Sequence, residues 1–291
     1  MRSMICYLVF LFGILAAPLA MAATLDRTGL MRTFDDEFDR FDWYKQSDFK
    51  QKPASGTWRT NLGYGWTTID DVKNHTHGEE QIYVDPLYSG SGMKPLGLDP
   101  FNVKDGALSI TAARTNDPAL YGYQYTSGMI TTQPSFTQLY GVFEMRAKLP
   151  KGRGLWPAFW MLPADTSWPP EIDIMEWLGH ETTKYYTTLH TQMTGEHTKS
   201  ALAPITIADA SADFHTYAVD WGPQMTVFYF DGKEVSRQAT YADMHKPFYL
   251  FINLAVGGNW PGSPDASTPL PAAMQIDWVR AWQRPEYVAK P

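Results

Sequence analysis

Cysteine is almost absent: the 291 residues contain one, Cys6, inside an apolar run near the N-terminus. No disulfide framework can be built from it, so the core has to supply the stability. Excess positive charge is missing as well. There are 24 Lys and Arg against 31 Asp and Glu, a net charge of −7 that grows by one unit if Arg2 is lost. Phosphate binding needs a basic patch, and this balance argues against a nucleic-acid partner. Apolar runs that could cross a bilayer are lacking, since Ile5 to Leu15 is too short and no stop-transfer pattern follows. Helical periodicity, repeats, linkers and low-complexity tracts are scarce too.

Met1-Arg2, the apolar run and Ala20-Met21-Ala22 together fit a signal peptide over residues 1–22, cut near Ala22 or Ala23. Cys6 leaves with it. The mature chain, residues 23–291, is then expected to be one exported domain, extracellular or periplasmic, with no membrane attachment and no disulfide. A monomer is the expectation. Aromatic residues are abundant, with 11 Trp, 16 Tyr and 15 Phe. Such rings stack on the C–H faces of sugars, and they also fill large cores; composition does not separate the two.

The periodic segments alternate every second residue. They include Ala107–Ala113, Tyr140–Leu149, Leu155–Leu162, Glu171–Leu178, Tyr185–Thr191, His215–Trp221, Phe248–Val256 and Gln275–Gln283. Thr226–Phe230 and Glu234–Arg237 flank Asp231-Gly232, a strong hairpin signal. Many short strands with Gly, Pro and Asp between them predict an all-β antiparallel sandwich or barrel. One short helical turn is expected near Tyr241–His245. Residues 45–100, 192–213 and 261–271 read as long loops, which in a compact domain are often functional.

Glu171-Ile172-Asp173-Ile174-Met175-Glu176 places three acids in an apolar strand between Trp168 and Trp177. On a regular strand Glu171 and Asp173 share a face, and Glu176 falls on the other. A β-bulge at Met175 would return Glu176 to the acidic face. Two glutamates about 13 Å apart along a strand can lean together to about 5–5.5 Å, the carboxyl separation of a retaining glycosidase. Glu171 would then attack the anomeric carbon while protonated Glu176 protonates the leaving oxygen and later activates water. Asp173 would hydrogen-bond Glu171, and the cluster would titrate as a unit. The alternative for such a bare pattern is a solvated acidic face or an oxygen-ligand cation site.

The signature resembles the active-site strand of glycoside hydrolase family 16, and its extra Met175 is similar to that of the family's laminarinases. Phe34–Asp39, Tyr140–Arg146, Gly154–Leu162, Asn253–Gly262 and Gln275–Arg280 resemble its other strands, in the expected order. The resemblance implies a jelly-roll sandwich with a concave substrate cleft and retaining endo-hydrolysis of a polysaccharide at β-1,3 or β-1,3-1,4 linkages. It assigns nucleophile, assisting acid and acid/base to Glu171, Asp173 and Glu176. It also places Trp156, Trp160 and Trp260 at sugar subsites, with core packing the other reading for Trp160, and His190 beside the acids. Arg59 and Asn61 would reach substrate from the first long loop. Glu144 and Arg146 share a face and would line the cleft or pair with each other.

No cofactor is expected for catalysis. Family members often carry one structural calcium on the convex face, and Glu37 and Asp277 are the matching positions. The His75-Thr76-His77 pair reads as ordinary loop chemistry rather than a metal site. Pro169-Pro170 before the nucleophile, with Gly78–Val84 and the Gly/Pro loop after it, is similar to endoglycanases that trim bacterial exopolysaccharides such as succinoglycan. Two other functions fit the same fold: a non-catalytic carbohydrate-binding jelly roll, and a transglycosylase acting on an exopolysaccharide.

Overall fold

The computed structural model describes residues 23–44, 56–61, 77–133, 135–195, 198–201 and 204–287. The stretch read as a signal peptide, His75 and much of the first long loop lie outside them. No helix among the described residues is long and apolar enough to cross a membrane.

The described chain is almost entirely strand. In order these are β1 (Met31–Asp36), β2 (Gln81–Tyr83), β3 (Phe101–Lys104), β4 (Ala107–Arg114), β5 (Tyr125–Ser127) and β6 (Met129–Thr131). There follow β7 (Gly141–Lys148), β8 (Leu155–Pro163), β9 (Glu171–Glu176), β10 (Lys184–Thr191), β11 (Thr198–Ala201) and β12 (Ile205–Thr206). The last five are β13 (His215–Trp221), β14 (Met225–Phe230), β15 (Lys233–Ala239), β16 (Phe248–Val256) and β17 (Ala272–Gln283). The short helical turn is a 3-10 turn at Ala242–Met244.

The strands form two sheets. One runs β15-β14-β13-β7-β17-β4-β5-β2, with β1 on β17 and β3 on β4; the other runs β11-β10-β9-β8-β16-β6, with β12 on β10. Alternation explains why they stack. Phe143, Met145 and Ala147 of β7 point inward, as do Val279 and Ala281 of β17, and they meet Phe159, Met161, Ile172, Ile252 and Leu254 of the facing sheet. Each large side chain buried there contributes about 1.5–3 kcal/mol. This is a jelly-roll sandwich, stabilised by its core with no cysteine among the described residues.

Asp231 and Gly232 hold positive φ, 47° and 72°, the geometry of the two-residue turn that joins β14 to β15. The expected loop at 45–100 contains β2, and the one at 192–213 contains β11 and β12. β2 pairs in parallel with β5. Gln81 looks polar in sequence, yet it is fully buried and its Oε1 accepts the Val256 N–H at 2.6 Å.

β16 is buried along its whole length because both of its faces are covered. One face lies on the inter-sheet core. Phe251 and Tyr249, on the other, pack with Trp160, Tyr83, Tyr88 and Leu120 into a second apolar cluster. That cluster closes part of the outer face of the seven-stranded sheet and leaves β8, β9 and β10 to carry polar groups.

Candidate active site

β9 lies between β8 and β10, and its register is irregular. Glu176 is opposite Ala158 and Met175 opposite Phe159, but Asp173 is opposite Trp160, so β9 carries one surplus residue between Asp173 and Met175. The same slip appears toward β10, where Tyr186 faces Glu176 and Thr188 faces Asp173. The reason is packing: Ile172, Ile174 and Met175 all turn into the inter-sheet core and are buried to 1% exposure or less. Two successive side chains pointing the same way is what a bulge does, and it returns Glu176 to the face of Glu171 and Asp173.

His190 is the β10 partner of Glu171. Its Nε2 lies 3.0 Å from Asp173 Oδ2 and 3.7 Å from Glu171 Oε1. Asp173 is 2% exposed. Trp168 folds back from the preceding loop, and its indole N–H donates to Glu171 Oε2 at 2.6 Å while its ring centre lies 6.0 Å from that of His190.

Burial first, and the adjacent Asp173 charge second, push the Glu171 carboxyl well above the usual carboxylate range; His190 and the Trp168 N–H pull the other way. The Asp173 carboxyl thus raises Glu171 both through its charge and through a hydrogen-bond contribution. Glu171, Asp173 and His190 offer ligand atoms within 4.8 Å of one another, a spacing a cation could use. The Trp168 N–H already binds Glu171 Oε2, and His190 Nε2 lies against Asp173 Oδ2.

The aromatic groups lie beyond Glu176. The Trp156 and Trp260 ring centres are 5.4 Å apart, Tyr186 is 4.7 Å from Trp260, and His77 is 6.0 Å from Trp156. Trp260 is 40% exposed and Trp156 9%. Trp260 sits on the turn after β16, where Gly257 has φ +72° and a Cβ would come within 2.5 Å of the Glu80 side chain. The positive φ favours glycine there. Trp160 is tied inward: its N–H donates to Asn253 Oδ1 at 2.8 Å, and Asn253 Nδ2 donates to the Tyr83 hydroxyl at 3.0 Å. Its ring lies 4.5 Å from Phe251.

The remaining expected residues are elsewhere. Arg59 bridges Thr131 at the far edge of the sheet, separated from β9 by β8, β16 and β6. At the usual strand spacing that is about 19 Å from Asp173. Arg59 is buried and donates to Gln133 Oε1, and Asn61 is 2% exposed beside it. Glu144 and Arg146 belong to the other sheet and do not pair with each other: Arg27 donates to Glu144, and Arg146 donates to Asp277. Glu37 binds Arg280 through both oxygens, at 2.6 and 2.7 Å. A calcium ion at Glu37 and Asp277 would have to displace two guanidinium groups, so this donor set does not fit one as it stands.

Trp168, Tyr186 and Asn253 complete the site without having been singled out as site residues. Trp168 did carry a signal, a tryptophan three residues before an acid at the end of a Pro-Pro segment. Tyr186 and Asn253 read only as members of buried strands.

A β-sandwich with carboxylates in register on one open sheet face, bordered by aromatic rings, defines the class of β-sandwich glycoside hydrolases. The chain belongs to glycosyl hydrolases family 16, which it matches over residues 98–280. It is 40% identical over 262 residues to endo-1,3-1,4-beta-glycanase ExsH of Rhizobium meliloti, covering 89% of this chain and 53% of that protein. Identity to endo-1,3-1,4-beta-glycanase EglC of the same organism is also 40%, with the same coverages. The chain thus spans about half the length of these relatives. The catalytic domain of an endo-1,3-beta-glucanase (laminarinase) from Thermotoga petrophila superposes with a TM-score of 0.70 at 30% identity, covering 87% of this chain and 98% of that one.

Proposed function

We propose that the protein is an exported, retaining endo-β-glucanase that hydrolyses β-1,3 or β-1,3-1,4 linkages of a polysaccharide. The observation that carries the reading is the bulge in β9, which sets Glu171, Asp173 and Glu176 on one face beside His190 and Trp168. The relatives' names support the choice of linkage.

In this reading Glu171 is the nucleophile. It attacks the anomeric carbon as Glu176 protonates the departing oxygen, and a glycosyl ester of Glu171 results. Glu176, now a carboxylate, takes a proton from water as that water attacks the same carbon and releases Glu171. Asp173 lies beside Glu171 and tunes it, and His190 holds Asp173 in place. Trp156, Tyr186 and Trp260 offer ring faces to sugars beyond Glu176.

Glu171→Gln and Glu176→Gln are each expected to lower turnover on lichenan and laminarin by orders of magnitude while circular dichroism stays that of the parent. Near-parental turnover in either variant rejects the assignment. The first-formed product, followed by NMR, is expected to be the β anomer; an initial α anomer rejects double displacement. Removal of the three acids' function with binding retained would identify a sugar-binding protein only if the parent were itself inactive.

A further inference from the structure

The loop between β8 and β9 brings Trp168 to Glu171; Pro169 and Pro170 are buried, but the part of the loop before them is not. Ala164, Asp165, Thr166 and Trp168 are all exposed, and Trp168 is 52% exposed. Fixing a large exposed side chain on such a loop opposes its conformational entropy. Something has to hold the loop if the 2.6 Å bond to Glu171 is to persist.

The holding group is on another element. Lys246, between the 3-10 turn at Ala242–Met244 and β16, donates from Nζ to Asp165 Oδ2 at 2.8 Å and to Ser167 Oγ at 3.1 Å. Asp165 Oδ1 in turn accepts from Ser167 Oγ at 2.7 Å and from the Ser167 N–H at 3.1 Å. Next to the lysine, Pro247 O accepts the Ala164 N–H at 2.8 Å. Both chain segments are therefore joined twice, once by backbone and once by the lysine, one residue short of Trp168.

We propose that Lys246 is a positioning residue for the reaction: it clamps the 164–168 loop and so sets the Trp168 indole N–H against Glu171. An exposed ion pair of this kind contributes little to global stability. Its effect lies in the placement of one donor. The Asp165 carboxyl is held down to about 2 by the lysine and serine bonds, so the clamp stays charged wherever the enzyme works. The groups facing Glu171 are Asp173 and Glu176 on its own strand, His190 on β10 and Trp168 on the loop. Of these only Trp168 depends on Lys246.

The proposal rests on the glycosidase reading, and its test has a readout that does not. The indole N–H resonance of Trp168, assigned by its loss in Trp168→Phe, is followed against pH in the full chain and in Lys246→Met and Lys246→Arg. In the parent it should titrate with the Glu171–Asp173 pair; in Lys246→Met it should move upfield and lose that titration, and Lys246→Arg should restore it. On lichenan or laminarin, Lys246→Met is expected to lose about tenfold in kcat/KM. The acidic limb of its pH profile should move to higher pH, because a donor to the ionised Glu171 is lost, and Lys246→Arg should recover both. An unmoved resonance in Lys246→Met, or a kcat/KM within twofold of the parent with an unchanged limb, overturns the clamp. A parent inactive on every glucan overturns the proposed function instead, and leaves the resonance to decide about Lys246.

Discussion

At Glu171 two demands pull against each other: the proposed nucleophile has to be ionised, while burial beside Asp173 favours its neutral form. The consequence for stability has a definite sign. A carboxyl whose folded pKa is raised costs the fold nothing below the ordinary carboxylate range, where it is protonated folded and unfolded alike. The penalty grows as pH rises from that range through the folded value. Glu171→Gln should therefore melt at the same temperature as the parent near pH 4 and at a higher temperature near pH 8. Calorimetry at the two pH values checks this, and a Tm gain that is equal at both would remove the charge explanation. Trp168→Phe should shift the acidic limb of kcat/KM upward, since the lost N–H favoured the ionised acid. Arg59 shows how little residue type alone says at this scale: the guanidinium donates to Gln133 and to the Asn61 carbonyl, far along the sheet from Glu171.

Among the elements, β9 was the most legible. Its apolar residues alternate with acids up to Asp173, and the one break in parity marks the bulge. The position of the surplus residue was less legible, because Ile174 and Met175 are both apolar and either can be the one that turns inward. Met175→Ala should cost about 2–5 kcal/mol, as for other fully buried methionines, measured by urea unfolding. A cost below about 1 kcal/mol would mean that Met175 does not anchor the bulge. β5 and β6 escaped sequence reading for a physical reason. Every residue in them is buried, so neither strand has an exposed face to create alternation. β2 was hidden in the same way: Gln81 and Tyr83 are buried, with Gln81 Oε1 accepting the Val256 N–H and the Tyr83 hydroxyl accepting from Asn253.

At the level of the whole molecule, strand periodicity gave the fold class and the order of the long strands, while the division into two sheets needed coordinates. Sequence cannot say that Glu144 and Arg146 lie on the sheet opposite the carboxylates, because period two fixes a face and not which sheet owns it. The same sandwich separates chemistry from substrate choice. Glu171, Asp173 and Glu176 sit on one strand, whereas the rings beyond them come from β8, β10 and the turn after β16. Incubation with laminarin, lichenan and succinoglycan is expected to give oligosaccharides of several sizes at early times, as internal cutting requires. Monosaccharide alone would contradict endo action.

β1 runs antiparallel along β17, with Met31 opposite Gln283. The first and last strands are thus neighbours in the ten-stranded sheet, on the far side of the sandwich from Glu171. A few added residues could join them, giving a circularly permuted chain with new ends in a surface turn. For the same reason, a fusion partner joined just before β1 or just after β17 would leave the face that carries Glu171 unobstructed.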